Sequence, residues 1–342
     1  MNFVIVDSWN SYLNRIPIEK KDIYYTEEYT KLYESEACRA LCVVGEDDEY
    51  VILMPFLRGF VRDKYDFETA YGYGGPITNS DSDVWITKAL NEMGNFFAKE
   101  GYICGFIRFH PLLQNELPCK ECFNVIYDRK TIVVDMRCTQ DEIWTKQISS
   151  KNRNMIRKAE KNGLRYRAEY DFESLHHFVS LYNETMQRLG ADEFYRFPKQ
   201  YFYGFADSLK GNAFLGTVFL DSKIVGAALF MRFGEYGHYH LAGSNREKGS
   251  LGINNFLLWK TIEEMKGTTV KQFHLGGGTC ASKDDSLLKF KKAFSNQERN
   301  FCIGKWVFNE LVYKDVCDEW EMKHPDIKDK YNNILLKYRY GK

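Results

Sequence analysis

The order of apolar and polar residues in the first half of the chain predicts a hairpin, a third strand, a helix and a fourth strand. The polar turn 45–48 separates the two strands of the hairpin. The helix should begin at Asp81 or Ser82 and end near Gly101, because apolar residues recur there at helical spacing. The predicted elements are strands 40–44, 50–57 and 67–71, a helix with Ile86, Leu90, Met93 and Phe97 on one face, and strand 102–109.

The same order of elements recurs about 170 residues later, which indicates two copies of one unit. Here the two-residue turn Asp221-Ser222 joins the strands of the hairpin, and the helix stops at Gly267. The predicted elements are strands 213–220, 223–232 and 236–242, a helix with Ile253, Leu257 or Leu258, Ile262 and Met265 inward, and strand 270–275.

Each copy is predicted to be a mixed α/β unit, in which a helical crossover makes the last strand parallel to its neighbour. This order resembles the core of the N-acetyltransferase (GNAT) superfamily. In that superfamily the third and last strands splay apart, and their unpaired backbone groups bind an acyl donor. The resemblance implies two tandem GNAT-like domains. We expect one over residues 1–148, completed by C-terminal helices within 309–342, and the other over 149–308.

Capping residues place two helices between the copies. The segment 139–142 has the capping-box pattern, so a helix should begin near Gln140. Ser149 or Ser150 can cap a second helix over 151–161, which Gly163 would close. We therefore expect the domain boundary in this region.

Composition narrows the function classes. Apolar residues make up 44% and charged residues 27%, the range of globular proteins. The 47 basic and 47 acidic side chains cancel, which argues against a DNA-binding protein with a basic surface overall. We find no secretory signal or membrane-length apolar run, and the odd count of nine cysteines is typical of reduced thiols, so we expect a cytoplasmic protein. Cys119 and Cys122 form a lone C-x-x-C with no second pair, so we predict no metal site.

The second predicted linker helix is strongly basic. Residues 151–167 hold seven basic side chains against the single acid Glu160. Arg153, Arg157 and Lys161 are spaced by four, so they form one cationic stripe. The stripe could bind a phosphorylated ligand such as a nucleotide-linked sugar, a lipid pyrophosphate or tRNA; a solvated helix face is the alternative.

A loop that opens the helix of the second copy partly fits the coenzyme A pattern Gln/Arg-x-x-Gly-x-Gly/Ala. Backbone N–H groups at a helix N-terminus attract the pyrophosphate. Arg246 and Gly249 fit the pattern, but Leu251 stands at the small-residue position, which weakens the coenzyme A interpretation. The corresponding loop 78–81 of the first copy lacks the pattern.

Two further motifs make the resemblance more specific. They are the basic helix Arg153-x-x-Ile156-Arg157-x-Ala159 with Gly163, and the strand end His274-Leu275-Gly276-Gly277-Gly278 with the later Phe290-Lys291. With these motifs the chain resembles the Fem family of peptidoglycan-bridge aminoacyltransferases and its relatives in envelope polysaccharide pathways. The His-Leu-Gly-Gly-Gly form is more similar to the polysaccharide-associated relatives, so the acceptor stays open.

The resemblance implies transfer of an aminoacyl group from aminoacyl-tRNA to an amine of a glycan precursor, without a bound cofactor. The precursor would be linked to a nucleotide or a lipid, and a lipid-linked one would bring the protein to the membrane surface peripherally. Lys291 would stabilise the tetrahedral oxyanion, a role worth ~3 kcal/mol or more. Phe290, Gly276 and Gly277 would line the substrate.

Other site residues are chosen for their chemistry and place. Tyr239 and His240 on the third strand of the second copy are candidate bases, with His238 and His274 as alternatives, and strand alternation puts Tyr239 opposite the two neighbouring histidines. In the first copy, Tyr71 and Tyr73 alternate with glycines and could form an acceptor shelf, and Arg108 could meet a phosphate.

Two other functions stay open. An acyl-CoA-dependent N-acyltransferase acting on an amino sugar would use Arg246 and Gly249 for its donor. A non-catalytic scaffold of two degenerate domains is the alternative from another class.

Overall fold

The computed structural model describes residues 1–245, 248–282 and 284–341. Its chain divides into unit 1, Met1–Asp128 with Phe301–Lys342, and unit 2, Arg129–Asn300. Within the described ranges, none of the helices combines the length and the apolar character that crossing a bilayer requires.

The first 128 residues supply most of unit 1. The predicted hairpin is present, and Ser82 caps the predicted helix by accepting a hydrogen bond from the Trp85 amide. The elements are β1 (Asn2–Val6), α1 (Asn10–Leu13), α2 (Glu27–Lys31), β2 (Cys38–Glu46), β3 (Val51–Val61), β4 (Lys64–Glu68), β5 (Ile77–Thr78), α3 (Asp83–Lys99) and β6 (Tyr102–Arg108).

The chain then forms unit 2 and returns to unit 1. The turn at Asp221 joins two long strands, as predicted. The elements are β7 (Asn124–Asp135), α4 (Gln140–Glu142), α5 (Ser150–Lys161), β8 (Arg165–Glu169), α6 (Leu175–Arg188), α7 (Lys199–Ser208), β9 (Ala213–Leu220), β10 (Lys223–Phe233), β11 (Tyr236–Ser244), α8 (Ile253–Lys266), β12 (Gln272–Gly277), α9 (Ser286–Lys292), β13 (Gln297–Val307) and α10 (Glu310–Lys323).

The sheet of unit 1 follows the order β1-β2-β3-β4-β6-β13, and β5 pairs with β3. Strands β4 and β6 are parallel, and their neighbours pair antiparallel. Helix α3 provides the crossover between β4 and β6, and its buried residues pack on one face of the sheet. The predicted meander with a helical crossover is therefore confirmed.

Unit 2 repeats this arrangement in the order β7-β12-β11-β10-β9-β8. Strands β11 and β12 are parallel, and α8 between them is almost wholly apolar on its buried side, which packs into the core of the unit. The prediction of a mixed α/β fold built from two similar units is thus confirmed.

The units divide at 128/129 and 300/301, whereas the sequence placed the limits at 148/149 and 308/309. Residues 131–135 of β7 pair with β12 and therefore lie in unit 2. Residues 303–307 of β13 pair with β6, so this end of β13 and α10 lie in unit 1. Strand pairing moves the limits because β7 and β13 each carry the chain from one unit to the other.

The predicted helix starts between the copies are present. Thr139 accepts a hydrogen bond from the Glu142 amide, and the Glu142 carboxylate accepts one from the Thr139 amide, which completes a capping box. A five-residue π-turn, Ile143–Gln147, follows α4. Ser149 then caps α5, and the left-handed Gly163 follows its last turn.

Candidate active site in unit 2

Strands β11 and β12 pair over a short stretch and then separate. Their parallel pairing runs from Tyr236 beside Gln272 to His238 beside His274. Beyond it β11 continues along β10 to Ser244, whereas β12 continues along β7. Among the described residues the facing edges do not pair across this gap, which we call the fork. Peptide groups there are available to a ligand.

The glycines that end β12 allow a sharp change of direction at the fork. Gly276 has φ +76°, a left-handed conformation that favours glycine, and the pairing with β7 has a bulge there. A Cβ on Gly278 would lie 2.4 Å from Oδ1 of Asp285, so a larger residue would displace that carboxylate. The glycine run is therefore required by the local geometry, whatever ligand approaches it.

Lys291 extends from α9 to the fork and is only 7% exposed. Its Nζ donates a hydrogen bond of 2.7 Å to the Gly277 carbonyl and lies 5.8 Å from the centre of the Tyr239 ring. Burial lowers the pKa of Lys291 to about 7; Asp285 opposes the decrease and Arg129 adds to it. Within the described residues no carboxylate lies at ion-pair distance from Nζ. The ammonium is thus desolvated and incompletely balanced.

Asp285 joins the end of β12 to the start of α9. Its Oδ1 accepts from the Leu288 amide at 2.7 Å as a helix cap, and its Oδ2 accepts from the Thr279 and Cys280 amides and the Thr279 hydroxyl. Burial raises the pKa of this carboxyl, but these hydrogen bonds outweigh burial and lower the pKa to about 2. Asp285 therefore stays ionised and holds the helix that carries Lys291.

Arg129 binds the same strand end from β7, with Nη1 3.0 Å from the Gly278 carbonyl. Two consecutive carbonyls, of Gly277 and Gly278, thus accept from two cations. Neither Arg129 nor Asp285 was predicted as a site residue from the sequence. Asp285 carries a signal, since an aspartate directly before Ser-Leu-Leu is typical of a helix cap. Arg129 carries none, because its partner lies 149 residues further along the chain.

Tyr239, a predicted catalytic residue, lies at the fork beside Lys291. Its ring stacks on Phe230 at 5.7 Å between centroids. Burial raises the pKa of its hydroxyl, so the group is neutral and suited to donate a hydrogen bond. Tyr239 therefore lies where a site residue was predicted, but a hydroxyl that keeps its proton is a poor general base.

His240, the other predicted base, is tied to α7. Its Nε2 lies 2.7 Å from the Tyr201 hydroxyl, and its ring stacks on Phe205 at 5.3 Å. Burial lowers the pKa of His240 to about 3, with His238 adding to the decrease, so the imidazole is neutral. His240 is the extra residue of a bulge against β10, which interrupts the side-chain alternation expected from the sequence.

The predicted cationic stripe on α5 divides into different environments. Arg153 is half-buried, and its Nη1 donates to the carbonyls of Trp144 and Thr145 in the π-turn and of Ile148 directly after it. Arg157 is exposed and its guanidinium lies 5.3 Å from the Trp144 ring. Lys161 is exposed at the end of the helix. Among the described contacts none joins this stripe to Lys291.

The described contacts therefore give no support to a joint role of the stripe and Lys291. The reason lies in Arg153, which serves backbone groups of its own neighbourhood and so acts as a structural residue. Helical spacing predicts that three cations share a face, but it does not predict which of them the chain itself binds.

The loop before α8 is partly described. Arg246 lies outside the described residues. Gly249 begins a short 3-10 turn, Gly249–Leu251, that leads into α8. Lys158 of α5 donates to the Ser250 carbonyl at 2.9 Å, and a Cβ on Gly252 would lie 3.0 Å from the Met155 carbonyl. Helix α5 therefore covers one side of this loop.

The predicted residues of unit 1 are engaged within that unit. Tyr71 and Tyr73 are half-buried, with Tyr71 stacked on Tyr33 at 6.2 Å and Tyr73 edge-on to Tyr24 at 5.2 Å. Arg108 forms an ion pair of 2.9 Å with Glu68. Because that carboxylate already balances Arg108, its predicted role with a phosphate gains no support.

The geometry of unit 2 agrees with a match to a known protein family. Residues 147–291 match the family described as acetyltransferase (GNAT) domain. The matched segment includes α5, the fork and Lys291, and the chain is an acyltransferase. No curated protein sequence matches the chain.

Solved structures extend the similarity to both units. FemX matches with a TM-score of 0.72 and 16% identity, over 92% of this chain and 99% of that one. The C-terminal domain of a putative lysylphosphatidylglycerol synthetase from Agrobacterium fabrum matches with TM-score 0.55 and 10% identity, over 86% and 90%. A tandem GNAT protein from the clavulanic acid biosynthesis pathway matches with TM-score 0.52 and 8% identity, over 90% and 99%. The fold is therefore a tandem GNAT fold like that of FemX.

Proposed function

We propose that the protein moves an aminoacyl group from aminoacyl-tRNA to an amine of a cell-envelope precursor, of peptidoglycan or of a surface polysaccharide. The observation that carries the proposal is the buried ammonium of Lys291 at the fork, 2.7 Å from the Gly277 carbonyl. Three N–H groups belong to an ammonium, and one serves this carbonyl. Another can meet an oxyanion that forms beside the strand edge.

The proposed reaction is attack of a neutral amine on the ester carbonyl that joins the amino acid to tRNA. A C–N bond forms, the ester C–O bond breaks, and the ribose hydroxyl leaves with a proton that the amine ultimately supplies. In the tetrahedral intermediate the carbonyl oxygen becomes negative. A desolvated cation interacts with that charge far more strongly than a hydrated one. Lys291 would provide this interaction, and Tyr239 would bound the site.

The donor preference rests on the loop before α8. Leu251 stands where the coenzyme A pattern has a small residue, and it packs against the core of unit 2. Met155 and Lys158 of α5 cover the same loop. These contacts leave less room for a pyrophosphate on the backbone and favour a donor of another kind. The names of two structures with the same fold, FemX and a lysylphosphatidylglycerol synthetase, support aminoacyl chemistry.

The remaining predicted residues fit roles outside the chemical step. Arg157 and Lys161 are exposed cations on α5 and would bind phosphates of the tRNA. Phe290 is half-buried and packs on Phe294 at 5.6 Å, so it would support the position of Lys291.

A second candidate is an acyl-CoA-dependent N-acyltransferase that acts on an amino sugar. The match of residues 147–291 to the acetyltransferase family favours it. The N-terminus of α8, a 14-residue helix opened by the left-handed Gly252, is the place for a pyrophosphate in this alternative.

Two parallel incubations distinguish the candidates. The purified full chain is supplied with radiolabelled aminoacyl-tRNA and a UDP-linked muramoyl peptide, or with labelled acetyl-CoA and an amino-sugar nucleotide. The products are identified by mass. We expect an aminoacyl mass gain on the acceptor in the first incubation. Acetylation in the second incubation, with none of the aminoacyl product in the first, would replace the proposal by the second candidate.

A further inference from the structure

A cavity of about 480 Å³ lies in unit 1 at the ends of β4 and β6 where their parallel pairing begins. This is the opposite end of the strands from Thr69 and Arg108. Side chains from β1 to β4, from β6 and from the end of α3 surround the cavity. Those with polar groups are Asp7, Arg39, Arg58, Tyr65, Glu100 and Tyr102.

Arg58 brings an incompletely balanced positive charge to this cavity. Its guanidinium lies 4.7 Å from the Tyr65 ring centre and 5.7 Å from that of Phe60. Its Nε is buried and has no hydrogen-bond partner. Among the described residues no carboxylate lies at ion-pair distance from Arg58. The aromatic rings hold the plane of the guanidinium, and its Nε–H lacks an acceptor.

Tyr102 adds a second donor at the same place. The side chain is 2% exposed, and its hydroxyl is buried without a hydrogen-bond partner. Its ring packs on those of Tyr65 and Phe97 at 5.3 and 4.9 Å, so the hydroxyl cannot turn readily to solvent. Burial raises the pKa of Tyr102 to about 12, although the charge of Arg58 and the closeness of its N–H groups to the hydroxyl oppose the increase, so the group keeps its proton. A buried hydroxyl without an acceptor is unfavourable unless something supplies one.

Two carboxylates also line the cavity. Asp7 is exposed and forms an ion pair of 3.1 Å with Arg39, which lies opposite Arg58 in the pairing of β2 with β3. Glu100 is exposed at the end of α3. Since the repulsion grows with the charge of the ligand, these carboxylates disfavour a polyanion such as pyrophosphate or nucleic acid more than a small anion.

We propose that this cavity is a binding site for a small oxyanion, which accepts hydrogen bonds from the guanidinium of Arg58 and the hydroxyl of Tyr102. A phosphate monoester and a carboxylate share this chemistry. This oxyanion site is separate from the proposed acyl-transfer site, because every residue that forms it belongs to unit 1. The two proposals can therefore be tested independently of each other.

Calorimetric titration of the full chain tests the proposal, with inorganic phosphate, acetate and chloride as separate probes. We expect binding of phosphate or acetate and no binding of chloride, and the stronger of the two oxyanions identifies the source. Arg58→Gln and Tyr102→Phe should each weaken binding at least about tenfold, since each removes a buried hydrogen bond to an anion. Arg62→Gln is the matched control, because Arg62 is an exposed arginine of unit 1 that pairs with Asp315 and Glu319.

Thermal unfolding keeps the test decisive if Arg58→Gln folds poorly. Without an oxyanion, Tyr102→Phe should unfold at the same temperature as the wild type or higher, because it removes a buried hydroxyl that lacks an acceptor. With phosphate or acetate the wild type should gain stability and Tyr102→Phe should gain little. Equal gains in the wild type, Tyr102→Phe and Arg58→Gln, or no gain in the wild type, would overturn the proposal.

Discussion

The two units share one strand order but treat the ends of their parallel strands differently. In unit 1 the backbone continues the pairing beyond β4 and β6. The Thr69 amide donates to the Phe106 carbonyl, the Arg108 amide donates to the Thr69 hydroxyl, and the Gly74 amide donates to the Arg108 carbonyl. In unit 2 the strands separate after His238 and His274. The same fold thus gives one filled strand gap and one open fork.

The cations beside the two strand ends also differ: Arg108 of unit 1 is paired within the protein, and Lys291 of unit 2 is not paired with a carboxylate among the described residues. Arg108 donates to the Glu68 carboxylate and the Thr69 carbonyl, and Glu68 also pairs with Arg339. Lys291 meets a carbonyl and an aromatic ring, and burial lowers its pKa to about 7. The charge of an ion-paired arginine is balanced within the protein. A buried lysine without an ion pair lowers the stability of the protein as long as no ligand balances its charge. The difference teaches that unit 2 gives up stability at the point where the proposed acyl-transfer site needs a charge.

Lys291→Met should have the largest effect, because it removes this charge from the open fork. We expect turnover in the acyl-transfer assay to fall at least ~100-fold, the usual loss when an oxyanion donor is removed. Circular dichroism should give an unchanged fold. Lys289→Met is the matched control, since Lys289 is an exposed lysine of the same helix that pairs with Asp284. Near-normal turnover in Lys291→Met would remove the residue from the chemistry.

Asp285→Ala should have the next largest effect, because it frees the helix that holds Lys291 beside the fork. The variant loses the cap of α9 and the hydrogen bonds to Thr279 and Cys280. We expect urea unfolding to show a loss of about 2 kcal/mol. Turnover should fall roughly tenfold, since small displacements of a catalytic group are costly.

Asp285→Asn provides the control for this variant, because asparagine is also a good helix cap. It should recover most of the stability. If Asp285→Ala loses stability while its turnover per folded molecule equals that of the wild type, Asp285 does not position Lys291.

Much of the fold could be predicted because its signals are local. The turn at Asp221 and the cap at Thr139 bring their own hydrogen-bonding groups, and both elements were placed correctly. Strand β4 was predicted over 67–71 and lies at Lys64–Glu68. The hairpin before it turns at Arg62, whose φ is +56°. An arginine in a left-handed conformation carries no turn signal, so the register was missed.

The site could be predicted only in part, because its contacts join distant segments. Lys291 came from resemblance, and nothing in its own segment indicates the Tyr239 ring beside it. Arg153 was expected at a phosphate and instead binds carbonyls in the π-turn and directly after it. That π-turn, Ile143–Gln147, follows α4 directly, and the spacing of apolar residues does not predict it.

The pH dependence of stability gives a smaller effect that sharpens the comparison. The folded pKa of Lys291 is about 7 and the ordinary value is 10.5, so between these values the unfolded chain binds more protons. Stability should therefore rise with pH across this window by up to about 1.4 kcal/mol per unit from this group. Below pH 7 the full destabilisation is present. Urea unfolding of the wild type and Lys291→Met at several pH values measures the difference between the two.

This difference should favour the methionine variant most at pH 6 and should shrink as the pH rises towards 9. A constant difference over that range would mean that Lys291 keeps its ordinary pKa in the folded protein. The fork would then hold a hydrated cation, and the contrast with unit 1 would lose its energetic basis.

Thr69→Val should have the smallest effect, because it loosens the filled gap of unit 1 without touching the fork. The half-buried Arg108 amide loses the hydroxyl that accepts its hydrogen bond, which should cost about 1 kcal/mol in urea unfolding. Thr69→Ser keeps the hydroxyl and is the matched control. Turnover should match that of the wild type, because unit 1 uses these groups for its own structure. A strong loss of turnover in Thr69→Val, with Thr69→Ser normal, would mean that the filled gap also serves the reaction, and the two units would then differ in role less than in geometry.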